Sequence, residues 1–131
     1  MARKRVNTTI DTMIGIDTEI IGNLGFTGGL HIDGKVKGNI FSDDENALLT
    51  ISDTGVVEGN IKVNRILLNG TIRGDAYALN KIELSSRARV FGNVYYNLIE
   101  MGMGAEVNGQ LIRKVESNEP KKILRLEETI E

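Results

Sequence analysis

From about residue 14 to residue 114 the chain sets apolar and polar residues in short alternating runs, and one five-residue run returns six times. Its order is apolar, any residue, glycine, polar amide or acid, apolar. The copies are Ile20-Ile21-Gly22-Asn23-Leu24, Val36-Lys37-Gly38-Asn39-Ile40, Val57-Glu58-Gly59-Asn60-Ile61, Ile72-Arg73-Gly74-Asp75-Ala76, Val90-Phe91-Gly92-Asn93-Val94 and Val107-Asn108-Gly109-Gln110-Leu111. Successive glycines lie 16, 21, 15, 18 and 17 residues apart, 87 residues over five intervals, a mean of 17.4. A period this short is incompatible with helical repeats of about 33–47 residues or propeller blades of about 40. It fits one turn of a three-sided β-solenoid with roughly six residues on each side. Turns stacked about 4.8 Å apart would make a rod of about 25–30 Å.

Strand periodicity assigns the faces. Gly34, Val36, Gly38 and Ile40 share one side and point inward. Lys35, Lys37 and Asn39 point outward, as do Glu58, Asn60, Arg73, Asp75, Glu106 and Asn108 in later turns. A second small-residue column, Thr18, Gly34, Gly55, Gly70, Ala88 and Ala105, lies four residues before each corner glycine. Little room exists inside a sharp corner, so small residues suit it. The polar column Asn23, Asn39, Asn60, Asp75, Asn93 and Gln110 is open to two readings. It is either an axial ladder of side-chain amides or a row of exposed turn residues. Apolar residues upstream of each corner fill the remaining sides: Ile32, then Leu48, Leu49 and Ile51, Ile66 and Leu68, Ile82 and Leu84, Ile99 and Met101. The segment Ser42-Asp43-Asp44-Glu45-Asn46 inside the longest interval reads as an acidic loop bulging from the rod.

Composition narrows the classes. At 131 residues the chain suits one domain. It is 40% apolar but only 5% aromatic, with 15 glycines and one proline, which matches thin aliphatic layers joined by tight corners. A net charge of −2 gives no general attraction for nucleic acid. With no cysteine there is no disulfide framework and no thiolate metal site. No apolar run approaches the roughly 18 residues that span a bilayer. Neither metal ligands nor a cofactor motif stand out. A cytoplasmic protein is expected. Residues 1–13 and 115–131 lie outside the repeat and are expected to be disordered tails, the first basic and the second charged.

Four stretches carry a family resemblance. They are Leu30-His31-Ile32-Asp33-Gly34-Lys35-Val36-Lys37-Gly38-Asn39-Ile40, Leu68-Asn69-Gly70-Thr71-Ile72-Arg73-Gly74-Asp75, Glu83 through Tyr96, and Val107-Asn108-Gly109-Gln110-Leu111. The chain resembles the bactofilins, bacterial polymer-forming cytoskeletal proteins, over roughly residues 14–114. The resemblance implies a right-handed β-helix of triangular section. It implies nucleotide-free assembly into filaments joined like end to like end, hence without polarity. It also implies, for many members, attachment to the inner face of the membrane through a short apolar N-terminal segment, and a role in cell shape or in placing cell-wall enzymes. Two features depart from that pattern. Residues 1–12 are basic and threonine-rich, with Arg3, Lys4 and Arg5 as the candidate lipid contacts. The last turn carries Val107 where relatives often present a phenylalanine.

The expected working parts are the two ends of the rod. A solenoid without caps leaves unpaired strand edges and a slice of core in water. The N-terminal polymer interface is expected to comprise Ile14, Ile16, Ile20 and Leu24. The C-terminal one is expected to comprise Met101, Met103, Val107, Leu111 and Ile112. The partner would be another copy of the chain, with the membrane surface and cell-wall-related proteins beyond it. Three rival readings are open on the sequence. An adaptor scaffold would recruit partners through its tails. A left-handed β-helical acyltransferase would need a catalytic histidine, and His31 is the one histidine present. A nucleic-acid binder would use Arg87, Arg89, Phe91 and Tyr95, which alternation places on one side.

Overall fold

The computed structural model describes residues 10–114, and all its regular structure is β. Every pairing is parallel, and each strand pairs with the strand one turn later. The chain therefore coils through six turns with three walls. The first wall holds β1 (Thr12–Ile14), β4 (Gly29–Ile32), β7 (Leu48–Ile51), the second halves of β9 (Ile61–Leu68) and β11 (Ala76–Leu84), and β14 (Leu98–Met101). The second wall is β2 (Glu19–Ile21), β5 (Lys35–Lys37), β8 (Val56–Glu58), β10 (Thr71–Arg73), β12 (Arg89–Phe91) and β15 (Glu106–Val107). The third is β3 (Leu24–Gly25), β6 (Ile40–Phe41), the first halves of β9 and β11, β13 (Val94–Tyr96) and β16 (Leu111–Arg113). β1 begins at Thr12, inside the stretch expected to be a tail.

Register stacks like on like. Ile14, Ile32, Ile51, Leu68, Leu84 and Met101 form one inward column. Ile20, Val36, Val57, Ile72, Val90 and Val107 form a second. Leu24, Ile40, Ile61, Ala76, Val94 and Leu111 form a third. The middle members of all three are fully buried. β-branched residues dominate because a stiff side chain packs well on a pleated surface with identical neighbours above and below.

The unequal spacing of the repeats comes from two of the three corners. Between the first and second walls the corner is either two residues, as at Asp33-Gly34 and Asn69-Gly70, or a four-residue turn. The four-residue turns close with the same backbone bond each time: Thr18 N–H to Gly15 O, Gly55 to Ser52, Ala88 to Ser85 and Ala105 to Gly102. The corner from the third wall back to the first varies more. The acidic segment sits there and does not bulge free. Asp44 accepts the N–H of Gly28 at 2.9 Å and that of Asn46 at 2.9 Å, which ties the loop to the turn beneath. Those two N–H donors hold the Asp44 carboxyl below the ordinary aspartate value.

The glycine corner alone keeps one length, because each corner packs directly on the last. A methyl group on Gly38, Gly59, Gly74, Gly92 or Gly109 would be driven into the carbonyl oxygen of the corner glycine one turn earlier. No described atom lies near the corresponding position of Gly22, which starts the stack.

Candidate polymerisation surfaces

The polar column resolves into a ladder of a third kind. At each step the side-chain oxygen accepts the backbone N–H of the next turn. Asn23 Oδ1 accepts from Asn39 N at 2.9 Å, Asn39 from Asn60 at 2.9 Å, Asn60 from Asp75 at 3.0 Å, Asp75 from Asn93 at 2.9 Å and Asn93 from Gln110 at 3.0 Å. Only an acceptor oxygen is required, so Asp75 fits where a chain of amide-to-amide bonds would break. The corner peptides, which turn away from the sheet ladders, are satisfied this way.

The two ends differ from the middle. Among the described residues β1, β2 and β3 are paired on one side only, as are β14, β15 and β16. At the N-terminal end Ile14 is already buried at 6% exposure. Ile20 and Leu24 are half-buried, and Phe26 packs beside them against the core. Ile16 lies elsewhere, on the tip of the first corner turn, 62% exposed. At the C-terminal end Met101 and Leu111, members of inward columns, are both 44% exposed, and among the described residues no further turn covers them. Val107 is half-buried, and Tyr96 and Ile99 pack on the core near it. Met103 occupies the turn-tip position equivalent to Ile16 and is 95% exposed. Interior turns place Asp53 and Ser86 at that tip. Apolar tips thus occur only in the two end turns.

Ile112 departs from its group. It pairs with Tyr95, an outward residue of the third wall, so its side chain lies on the flank and not on the cut end of the core. The sequence reading also passed over Phe26 and Tyr96. Both fall two residues beyond an inward position, Leu24 and Val94, and strand parity would have found them. Arg3, Lys4 and Arg5 lie outside the described residues.

The remaining candidate residues lie on the walls and corners of the rod. His31 Nε2 lies 2.9 Å from Asp33 Oδ1, and the Ser52 hydroxyl also bonds the Asp33 carboxylate. The bonds from Ser52 and His31 lower the Asp33 pKa. Here the carboxylate stands between imidazole and hydroxyl, whereas activating a serine requires the imidazole in the middle. The basic and aromatic group divides as well. Arg89 and Phe91 face out from the second wall, and Tyr95 faces out from the third, past the Gly92 corner. Arg87 lies on a corner turn, 3.4 Å from Asp53. No helix among the described residues is long and apolar enough to cross a membrane.

Comparison with known proteins agrees with this architecture. The family described as "Bactofilin: Polymer-forming cytoskeletal" matches residues 12–112, most of the chain. Bactofilin BacO of Myxococcus xanthus (strain DK1622) is 33% identical over 105 residues, covering 80% of this chain and 78% of BacO. Bactofilin BacP of the same organism is 25% identical over 101 residues, covering 77% of this chain but only 41% of BacP. No solved structure matches the chain significantly. A β-solenoid of six stacked turns, matched by that family from its first strand to its last, places this chain in the bactofilin family of polymer-forming cytoskeletal proteins.

Proposed function

We propose that the protein polymerises by stacking rods end to end, without nucleotide, through the faces built by its first and last turns. The observation that carries this reading is the exposure of inward-column residues at the C-terminal end, Met101 and Leu111, beside strands with one edge unpaired among the described residues. Stacking another copy there removes apolar surface from water and gives the edge N–H and C=O groups partners. The apolar tips Ile16 and Met103 widen each end face beyond the core. No bound nucleotide is needed to drive the step, because the buried surface and the backbone bonds supply the free energy.

The joints are read as like to like, giving a filament without polarity. The filament is read as a scaffold on the cytoplasmic face of the membrane that positions cell-wall-related proteins. Arg3, Lys4 and Arg5 bring about 1 kcal/mol each near an anionic surface, too little to hold one molecule. A filament repeats the contact along its length and makes it sufficient.

Negative-stain microscopy and sedimentation of the purified full chain test the central step. Wild type should form filaments with no nucleotide added, and Leu111→Arg should give a folded β protein that stops at the dimer joined through its N-terminal faces. Full-length filaments from Leu111→Arg would remove the C-terminal face from the joint. Liposome co-sedimentation with and without residues 1–12 tests the lipid contact; equal pelleting would discard it.

A further inference from the structure

The flanks of the rod are unequal. Outward residues of the second wall are tied into ion pairs, Lys37 with Glu19 at 3.2 Å, Lys35 with Glu58 at 3.3 Å and Arg89 with Glu106 at 3.6 Å. The first wall carries Lys81 between Glu83 and Glu100 at 3.4 and 3.3 Å. The third wall carries a different column along its outside: Gly25, Phe41, Lys62, Tyr77, Tyr95 and Ile112. One charge stands in it. Phe41 is 50% exposed and its ring lies over Gly25. The Tyr77 and Tyr95 rings stack with centroids 5.4 Å apart, and Lys62 Nζ sits 5.5 Å from the centre of Tyr77. A groove runs between this column and the Asn39, Asn60 and Asp75 corner.

We propose that this wall is a lateral interface on which a second copy of the chain packs with its axis antiparallel, an inference that rests on the filament reading above. The order of residues along the column is what selects the partner. A twofold axis running across the wall, parallel to the strands and between the third and fourth turns, sets each turn against its mirror in the count. Lys62 then faces Tyr77 of the second copy, with Asp75 of that copy beside it at the corner, and the same pair recurs by symmetry. Phe41 faces Tyr95, and Ile112 meets the Phe41 ring over Gly25. The wall is complementary to itself in this one sense. A parallel arrangement sets Lys62 against Lys62, and like charges brought together across an interface oppose association.

The size of the surface sets when pairing occurs. Six turns about 4.8 Å apart and a strand face about 10 Å wide offer roughly 300 Å² per copy. A stable interface buries about 800 Å² per partner. Two free protomers therefore do not stay together through this wall. Two filaments do, because every protomer along their length adds another copy of the contact.

The test uses the full chain, which has no native cysteine. Wild-type filaments should be seen in pairs by electron microscopy. Lys62→Glu sets a carboxylate against Asp75 of the second copy, and the paired fraction should fall at least about tenfold while single filaments persist. Lys62→Ala should fall between the two. For the sense of pairing, Phe41→Cys and Tyr95→Cys filaments are mixed and mildly oxidised. A disulfide should link the two variants, and neither variant should link to itself. Wild-type filaments that remain single would overturn the lateral interface, leave the wall to another occupant, and leave end-to-end assembly standing. Unchanged pairing of Lys62→Glu, or self-linking of Phe41→Cys, would also overturn it. An absence of any wild-type filament would instead defeat the reading on which it rests.

Discussion

Two alanine substitutions in one column should behave very differently. Gly22 and Gly59 hold the same corner position, with φ of 131° and 156°. Both angles lie where a residue with a Cβ is strained, at about 1–2 kcal/mol. At Gly22 that is the whole effect on the isolated protomer, because no described atom stands near the new methyl. At Gly59 the methyl meets the backbone oxygen of Gly38. Backbone in a stacked corner has hydrogen bonds on both sides and gives way poorly, so overpacking adds about 3 kcal/mol. At about 4 °C per kcal/mol, Gly59→Ala should melt about 12 °C below Gly22→Ala. The melts are recorded by circular dichroism on dilute protein, so that assembly does not contribute. Sedimentation of concentrated protein should show the reverse order of interest. Gly22→Ala stays folded yet assembles poorly, because its methyl projects from the end face. Equal melting temperatures would refute the packing argument, and normal filaments from Gly22→Ala would remove that corner from the joint.

Other outcomes follow from individual contacts. Asn60→Leu removes the acceptor for the Asp75 N–H and should cost about 1 kcal/mol in urea unfolding. Asp75→Asn keeps an acceptor for Asn93 and should stay within about 0.5 kcal/mol of wild type; a large loss there would mean that the charge matters. Asp44 has a folded pKa below its ordinary value of 3.8, so its stabilising effect is complete above 3.8 and is lost as pH falls through the lower folded value. Thermal melts across that acid window should therefore be less pH-dependent in Asp44→Asn than in wild type. An unchanged profile would show that the loop's ties to Gly28 and Asn46 do not stabilise the fold.

The interior of the rod was legible because its constraints repeat. A corner glycine is required in every turn by the turn beneath it, so Gly38 through Gly109 recur in the sequence with their apolar neighbours. The ends were less legible for the same reason. Ile16 and Met103 look like any apolar residues until corner lengths are known, and corner lengths vary by two residues without any mark in hydropathy. Ile112 was misplaced by proximity: it adjoins Leu111, yet adjacent strand residues face opposite sides. The third-wall column was hidden by its period. Phe41, Lys62, Tyr77 and Tyr95 are 15 to 21 residues apart, and only register brings them into line.

The parallel register means that each turn senses only the turn before and the turn after it. Such a system is a one-dimensional lattice of coupled units. Its outermost units have one neighbour and open most readily, so amide hydrogens of the first and last turns should exchange fastest in the free protomer. An end turn gains its second neighbour only when another copy arrives, and at a like-to-like joint that neighbour is the same turn of the other copy. Filament growth would then give each end turn the second neighbour that every interior turn has from the chain itself. The exchange rates of the end turns would fall toward those of the middle as the polymer forms, and the boundary between subunits would fade from the exchange pattern.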